Sequence, residues 1–181
     1  PVIEFDLAGN VVNSWGEDAF EKPLIHSFHA CHFDADNHVW ILSTESGIAR
    51  KFLHDGSKLL LQIGKSGMVD SSDGTLKGKP LNSDVAQFFA PADINVDRQN
   101  GDIYVDDGDG AGNRRIAVMD RTGHFLRQWQ PEIAASIHCM ASADDDLVYL
   151  CNRSANRLQV YDRMGNFKKN IDIPWKAHTP V

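Results

Sequence analysis

Four of the chain's eight histidines fall within fifteen positions, in HSFHACHFDADNHVW at 26–40. His26, His29, His32 and His38 surround Cys31, and imidazole and thiolate are donors that transition metals take. A local cluster needs these side chains to converge. Strand geometry opposes that. Residues two apart share a face, so His29 and Cys31 point one way and His32 the other. His26 lies in an approach loop and His38 at a hairpin turn. Ligands can also come from a distance. His138 is a candidate, and the question becomes whether the fold brings His29 and His138 to one place.

The organisation of the chain bears on this. Three stretches superimpose: HACHFDADNHVWILSTESGIARKFLHDGSKLLLQIG (29–64), ADINVDRQNGDIYVDDGDGAGNRRIAVMDRTGHFLRQW (92–129) and HCMASADDDLVYLCNRSANRLQVYDRMGNFKKNI (138–171). PVIEFDLAGNVVNSWG (1–16) matches the second half of the unit. Each unit alternates apolar and polar residues in short runs separated by Asp, Asn and Gly turns, the grammar of antiparallel hairpins. No stretch carries a helical apolar stripe. Four strands per repeat predict an all-β fold, a β-propeller. The segment 65–89, KSGMVDSSDGTLKGKPLNSDVAQFF, reads as a surface loop between blades, of a length that is usually functional or mobile. DIPWKAHTPV (172–181) reads as the entry to another blade.

About three and a half blades cannot close a ring, since propellers have roughly four to eight. The chain is therefore expected to be a partial propeller, completed by the rest of a longer polypeptide or by a second chain. Its first residues read as a strand and turn rather than a signal peptide.

The repeat places His29, Ala92 and His138 at one equivalent position, the start of the innermost strand beside the central channel. Alternate blades carry His. In a six-bladed ring, three such histidines would converge on the axis as a trigonal set that suits zinc. The third would lie roughly one hundred residues past His138. Two histidines that bond backbone or water are the plainer alternative.

These repeats resemble NHL repeats, and more closely the six-bladed propeller of peptidyl-α-hydroxyglycine α-amidating lyase and its bacterial relatives. The resemblance implies zinc held by three histidines from alternate blades, and cleavage of a peptidyl-α-hydroxyglycine to a peptide amide and glyoxylate. His29 and His138 match two of the ligand positions. Arg153, in YLCNRSANRLQ, matches an active-site arginine. The Cys31 carbonyl matches a ligand of a structural calcium. The family's catalytic tyrosine sits in a DGYGNxR turn. Here the turn is DGDGAGNRR (107–115), longer by two residues and without tyrosine; Asp107 or Asp109 is the candidate replacement, and Tyr104 lies earlier on the strand.

Other features narrow the class. Cys139 and Cys151 are placed symmetrically about the turn at Asp145. They face each other in a regular hairpin, either as a disulfide or as two buried thiols. A disulfide would point to a secreted or periplasmic protein. The formal net charge of −7 argues against a nucleic-acid surface, and no apolar run approaches the ~20 residues of a membrane span. Two functions remain. One is a metal-centred lyase-like enzyme with a peptide or small-molecule ligand at the propeller axis. The other is a non-catalytic NHL module that binds a peptide or protein partner.

Overall fold

The structure, a computed structural model, describes residues 2–16, 28–110, 112–132 and 136–174. His26 and most of the expected entry to a further blade lie outside the described residues. Fourteen strands are described, and no helix. The pair β1 (Val2–Phe5) and β2 (Val11–Trp15) forms a two-stranded sheet. β3 (Phe28–Phe33), β4 (Val39–Ser43), β5 (Ile48–Phe52) and β6 (Leu59–Ile63) form the first four-stranded blade. β7 (Asp93–Val96), β8 (Ile103–Asp107), β9 (Arg115–Met119) and β10 (Phe125–Trp129) form the second. β11 (Ile137–Ser142), β12 (Leu147–Asn152), β13 (Arg157–Asp162) and β14 (Phe167–Asp172) form the third. Every blade is an antiparallel meander, with its first strand beside the first strand of the next blade.

Period-two alternation builds the core as layers between blades. Trp40 and Leu42 on β4 meet Ile94, Ile103 and Val105 of the second blade. Val39 and Ile41, one residue out of phase, face Val2 and Trp15 of the two-stranded sheet. Tyr104, between Ile103 and Val105, faces Ile137, Val148 and Tyr161 of the third blade. A strand buried on both faces explains why VWILS and IYVDD lack exposed residues.

The turns carry a second repeating device. Asp6, Asp120 and Asp162 each accept backbone N–H bonds from residues two and four ahead, the side-chain mimic of a turn. The glycine that follows has positive φ at Gly123 and Gly165 and lies under the outer strand of the preceding blade. A Cβ at Gly165 would fall 2.6 Å from the Trp129 ring, and one at Gly56 would fall 2.1 Å from Trp15. The first and third blades thus seat a tryptophan from the sheet before them, and the second blade's Gly123 sits over Ile63 and Leu61.

The 65–89 segment lies mostly at the surface, as its composition suggested, but it is anchored in the interior near both of its ends. Val69, Asp70, Ser71, Phe88 and Phe89 are buried. The reason is Arg115, whose guanidinium is fully buried. It pairs with Asp70 at 3.1 Å and with Asp107 at 3.1 Å. It also donates to the Ser83 and Gln87 carbonyls and to Gln128 Oε1. Asn113 Nδ2 bridges Asp70 and Asp107 at 2.8 Å to each. The polar residues of the segment satisfy one another and one cation, so burial leaves them paired.

Cys139 and Cys151 are direct cross-strand partners joined by a disulfide, with Cα atoms 5.0 Å apart. The loop is short, worth about 3 kcal/mol in the chain-entropy picture.

Along the β1 side, an apolar groove of about 400 Å³ separates β1 from β3 and β4. β1 pairs only with β2 among the described strands.

Arg115→Met would leave Asp70 and Asp107 buried without their cation. Urea denaturation is expected to show a loss of about 3–5 kcal/mol, with early proteolytic cleavage inside 65–89. An unchanged midpoint would show that the clamp holds nothing.

Candidate metal centre at the axis

His29 and His138 are the second residues of β3 and β11, and Ala92 immediately precedes β7. In both histidine strands the register slips at the histidine. Phe28 pairs with Ser43 and Ala30 with Leu42; Ile137 pairs with Asn152 and Cys139 with Cys151. Each histidine is thus the extra residue of a β-bulge, a feature that re-aims a side chain. β7 pairs with β8 in unbroken register. His29 Nδ1 reaches the Ala92 carbonyl of the second blade, the neighbour that His32 also faces, and His29 borders the groove beside β1 together with Cys31 and Phe33.

The two imidazoles meet edge to face, ring centroids 4.9 Å apart. His29 Nδ1 lies 2.6 Å from the Ala92 carbonyl oxygen. A carbonyl can only accept, so Nδ1 carries a proton and Nε2 is the ring nitrogen left facing the site, the orientation that metal-binding histidines use. Burial, then the nearby Arg153 charge, push the His138 imidazole below its ordinary pKa, which keeps it neutral near pH 7.

The β8–β9 turn brings Asp109 over the same point. Its amide donates to the Ala90 carbonyl at 3.0 Å. Its Oδ2 lies 3.8 Å from His29 Nε2 and its Oδ1 lies 3.9 Å from His138 Nε2. Arg153 Nη2 sits 3.7 Å from Oδ1 and donates to Ser136 Oγ at 3.1 Å. The structure therefore brings His29, His138, Asp109 and Arg153 together.

The donor set fits zinc. One atom from each of His29, Asp109 and His138 lies within 4.8 Å of the others. Ligand atoms of a tetrahedral zinc site lie about 3.3–3.6 Å apart, so closing on an ion needs side-chain shifts of about an ångström. Another grouping, Asp34, Asp36 and His38, has a structural occupation: Asp34 pairs with Lys51 at 2.7 Å and accepts from Trp40 Nε1 at 3.2 Å.

Two other sequence candidates are elsewhere. Tyr104 is buried between blades, its hydroxyl 3.1 Å from Arg127 Nη2, and burial pushes it up to about 12. Asp107 belongs to the Arg115 clamp and also accepts the Phe89 and Ala90 amides. Burial raises its carboxyl, and the guanidinium, Asn113 and those amides pull it back.

Asp106 is a residue that sequence reasoning passed over. DDGDGAGN reads as a turn, yet Asp106 and Asp107 end β8 and are fully buried. The unbroken apolar run IYV before them was the available signal. Neither Asp106 carboxyl oxygen has a hydrogen-bond partner among the described residues. Burial, with Asp93, Asp107 and Asp109 nearby, pushes its pKa well up. Asp93, its cross-strand partner, is also raised by burial and accepts the Met140 amide at 2.7 Å.

A carboxyl whose folded pKa exceeds its unfolded value, about 3.9, favours the fold below that pH. That contribution is lost as pH rises toward the folded value. Asp106→Asn removes this titration. It is expected to be more stable than the parent at pH 7.5 by roughly 1–3 kcal/mol and to gain less at pH 4.5. An equal effect at both values would show that Asp106 does not titrate between them.

No family model matches the chain. It is 25% identical over 177 residues to peptidyl-glycine alpha-amidating monooxygenase A of Xenopus laevis, covering 91% of this chain and 17% of that protein. It is 26% identical over 169 residues to human (Homo sapiens) NHL repeat-containing protein 3, covering 90% of this chain and 45% of the relative. The chain thus spans less than half the length of either. Among solved structures, a protein of unknown function from Bacteroides caccae superimposes with a TM-score of 0.60 at 13% identity, over 94% of this chain and 58% of that one. The Cps50 (Swd1) β-propeller domain of Myceliophteria thermophila superimposes with a TM-score of 0.52 at 13% identity, over 82% and 44%. The likeness to the second of these, with the four-stranded blades of this chain, shows the propeller fold.

Proposed function

We propose that this NHL-like β-propeller holds zinc at its axis through His29 and His138 and acts there as a lyase on C-terminally hydroxylated glycine peptides or a related small substrate. The observation that carries the reading is the meeting of two imidazoles from different blades, each re-aimed by a bulge, with Arg153 beside them. Bound zinc would supply Lewis acidity toward a substrate oxygen.

The chain's own residues do the rest. The Ala92 carbonyl fixes the His29 tautomer. Arg153, steadied by Ser136, offers a guanidinium fork to a substrate carboxylate. The half-buried setting of the histidines strengthens both interactions relative to water. In the reaction, the hydroxyl proton leaves oxygen, the C–N bond breaks, a carbonyl forms, and the amide nitrogen gains a proton. No oxidant and no net proton are needed. The disulfide supports a secreted or periplasmic setting. Further blades, from the rest of the polypeptide or a second chain, complete the ring beyond the unpaired edge of β1.

A second reading, a non-catalytic module that binds a peptide or protein partner, is favoured by one observation. Among the described residues, none of the tyrosines belongs to the group at the axis.

Elemental analysis of the purified protein is expected to find about one zinc per chain, lost in the His29→Ala, His138→Ala double variant. Glyoxylate release from a peptidyl-α-hydroxyglycine should follow the zinc content, and Arg153→Ala should raise KM at least tenfold while changing kcat less. Absence of zinc would end the metal reading. Zinc without glyoxylate release would end the lyase reading and leave a binding module.

A further inference from the structure

We infer that Asp109 is a protein ligand of the axial metal, added by the second blade to His29 and His138. The inference rests on the metal reading above and assigns the ligand that the second blade contributes. That blade has Ala92 at the position where its neighbours have histidine. It supplies two other things: a carbonyl that orients His29, and a turn that carries a carboxylate to the axis.

The carboxylate is placed to bind an ion shared with both histidines. One oxygen faces His29 Nε2 and the other faces His138 Nε2, at 3.8 and 3.9 Å. These separations are too long for hydrogen bonds. With Nδ1 donating to the Ala92 carbonyl, His29 turns Nε2 toward the carboxylate, the ring nitrogen that a ligating histidine offers to a metal when its other nitrogen is held this way. Arg153 stands beside the same carboxylate, its nearest nitrogen 3.7 Å from Oδ1, while its hydrogen bond goes to Ser136.

The backbone leading from β8 to Asp109 is also firmly mounted. Asp107, two residues before Asp109, is fixed by Arg115, Asn113 and two amides. The Asp109 amide is tied to Ala90. A ligand on a supported backbone keeps its position before the ion arrives. Two imidazoles and a carboxylate leave coordination positions open for substrate and accept Fe(II) and Co(II) as well as zinc.

Calorimetric titration of Zn²⁺ and Co²⁺ into metal-free protein tests this directly, with Asp109→Asn, Asp109→Ala, His29→Ala and His138→Ala in parallel. Both Asp109 variants should bind each ion at least tenfold more weakly than the parent, as the histidine variants do. Asn keeps the side-chain size, and unchanged near-ultraviolet circular dichroism would show that the fold is intact. If the Asp109 variants bind like the parent while the histidine variants lose affinity, Asp109 is not a ligand and the metal reading stands. If the parent binds neither ion, both are overturned.

Discussion

Arg115 joins parts of the chain that are far apart in sequence. Its guanidinium touches carboxylates from the long connection and from β8, two backbone carbonyls, and Gln128 on the outer strand. A buried cation of this kind is stable only when every donor is answered, and here five acceptors answer it. The consequence reaches the axis. Asp107 is fixed, the Asp109 amide two residues on is tied to Ala90, and Asp109 stands over the two histidines. The clamp and the candidate site lie on the same strand end.

The site also depends on departures from regularity. A perfect repeat would direct His29 and His138 by simple alternation. The bulges at both positions turn the rings toward the channel instead. The second blade, without a bulge or a histidine there, answers with backbone and turn. Beneath the site, Asp106 and Asp93 are carboxyl groups that burial keeps from ionising easily. Such groups oppose stability near neutral pH, and the disulfide on β11 and β12 offsets part of that cost on the same side of the channel.

Much of the architecture was legible in the sequence because a propeller writes its pattern several times. The alternation in HVWILS, DIYVDD and LVYLCN and the D-x-x-G turns each recur, and three copies fix a strand assignment that one would leave open. The equivalence of His29, Ala92 and His138 followed from the same comparison. What stayed hidden was not repeated. A bulge leaves no mark on composition, so the register slips at His29 and His138 were not legible. The 65–89 segment occurs once, and its polar residues suggested solvent because nothing local shows that Asp70 meets Arg115. DIYVDD read correctly as a strand through Asp106 and Asp107, but nothing local shows that both carboxylates are buried beside Asp93, Ile116 and Arg115.

The disulfide, the clamp and the glycine–tryptophan contacts between blades hold a frame on which a few side chains do the chemistry. Whether those side chains hold an ion is best measured by crystallography of the zinc-soaked protein, with anomalous data collected on both sides of the zinc edge. One peak is expected within bonding distance of His29 Nε2, His138 Nε2 and an Asp109 oxygen. No peak there, or zinc bound only at surface residues such as His124, would contradict a metal-centred axis.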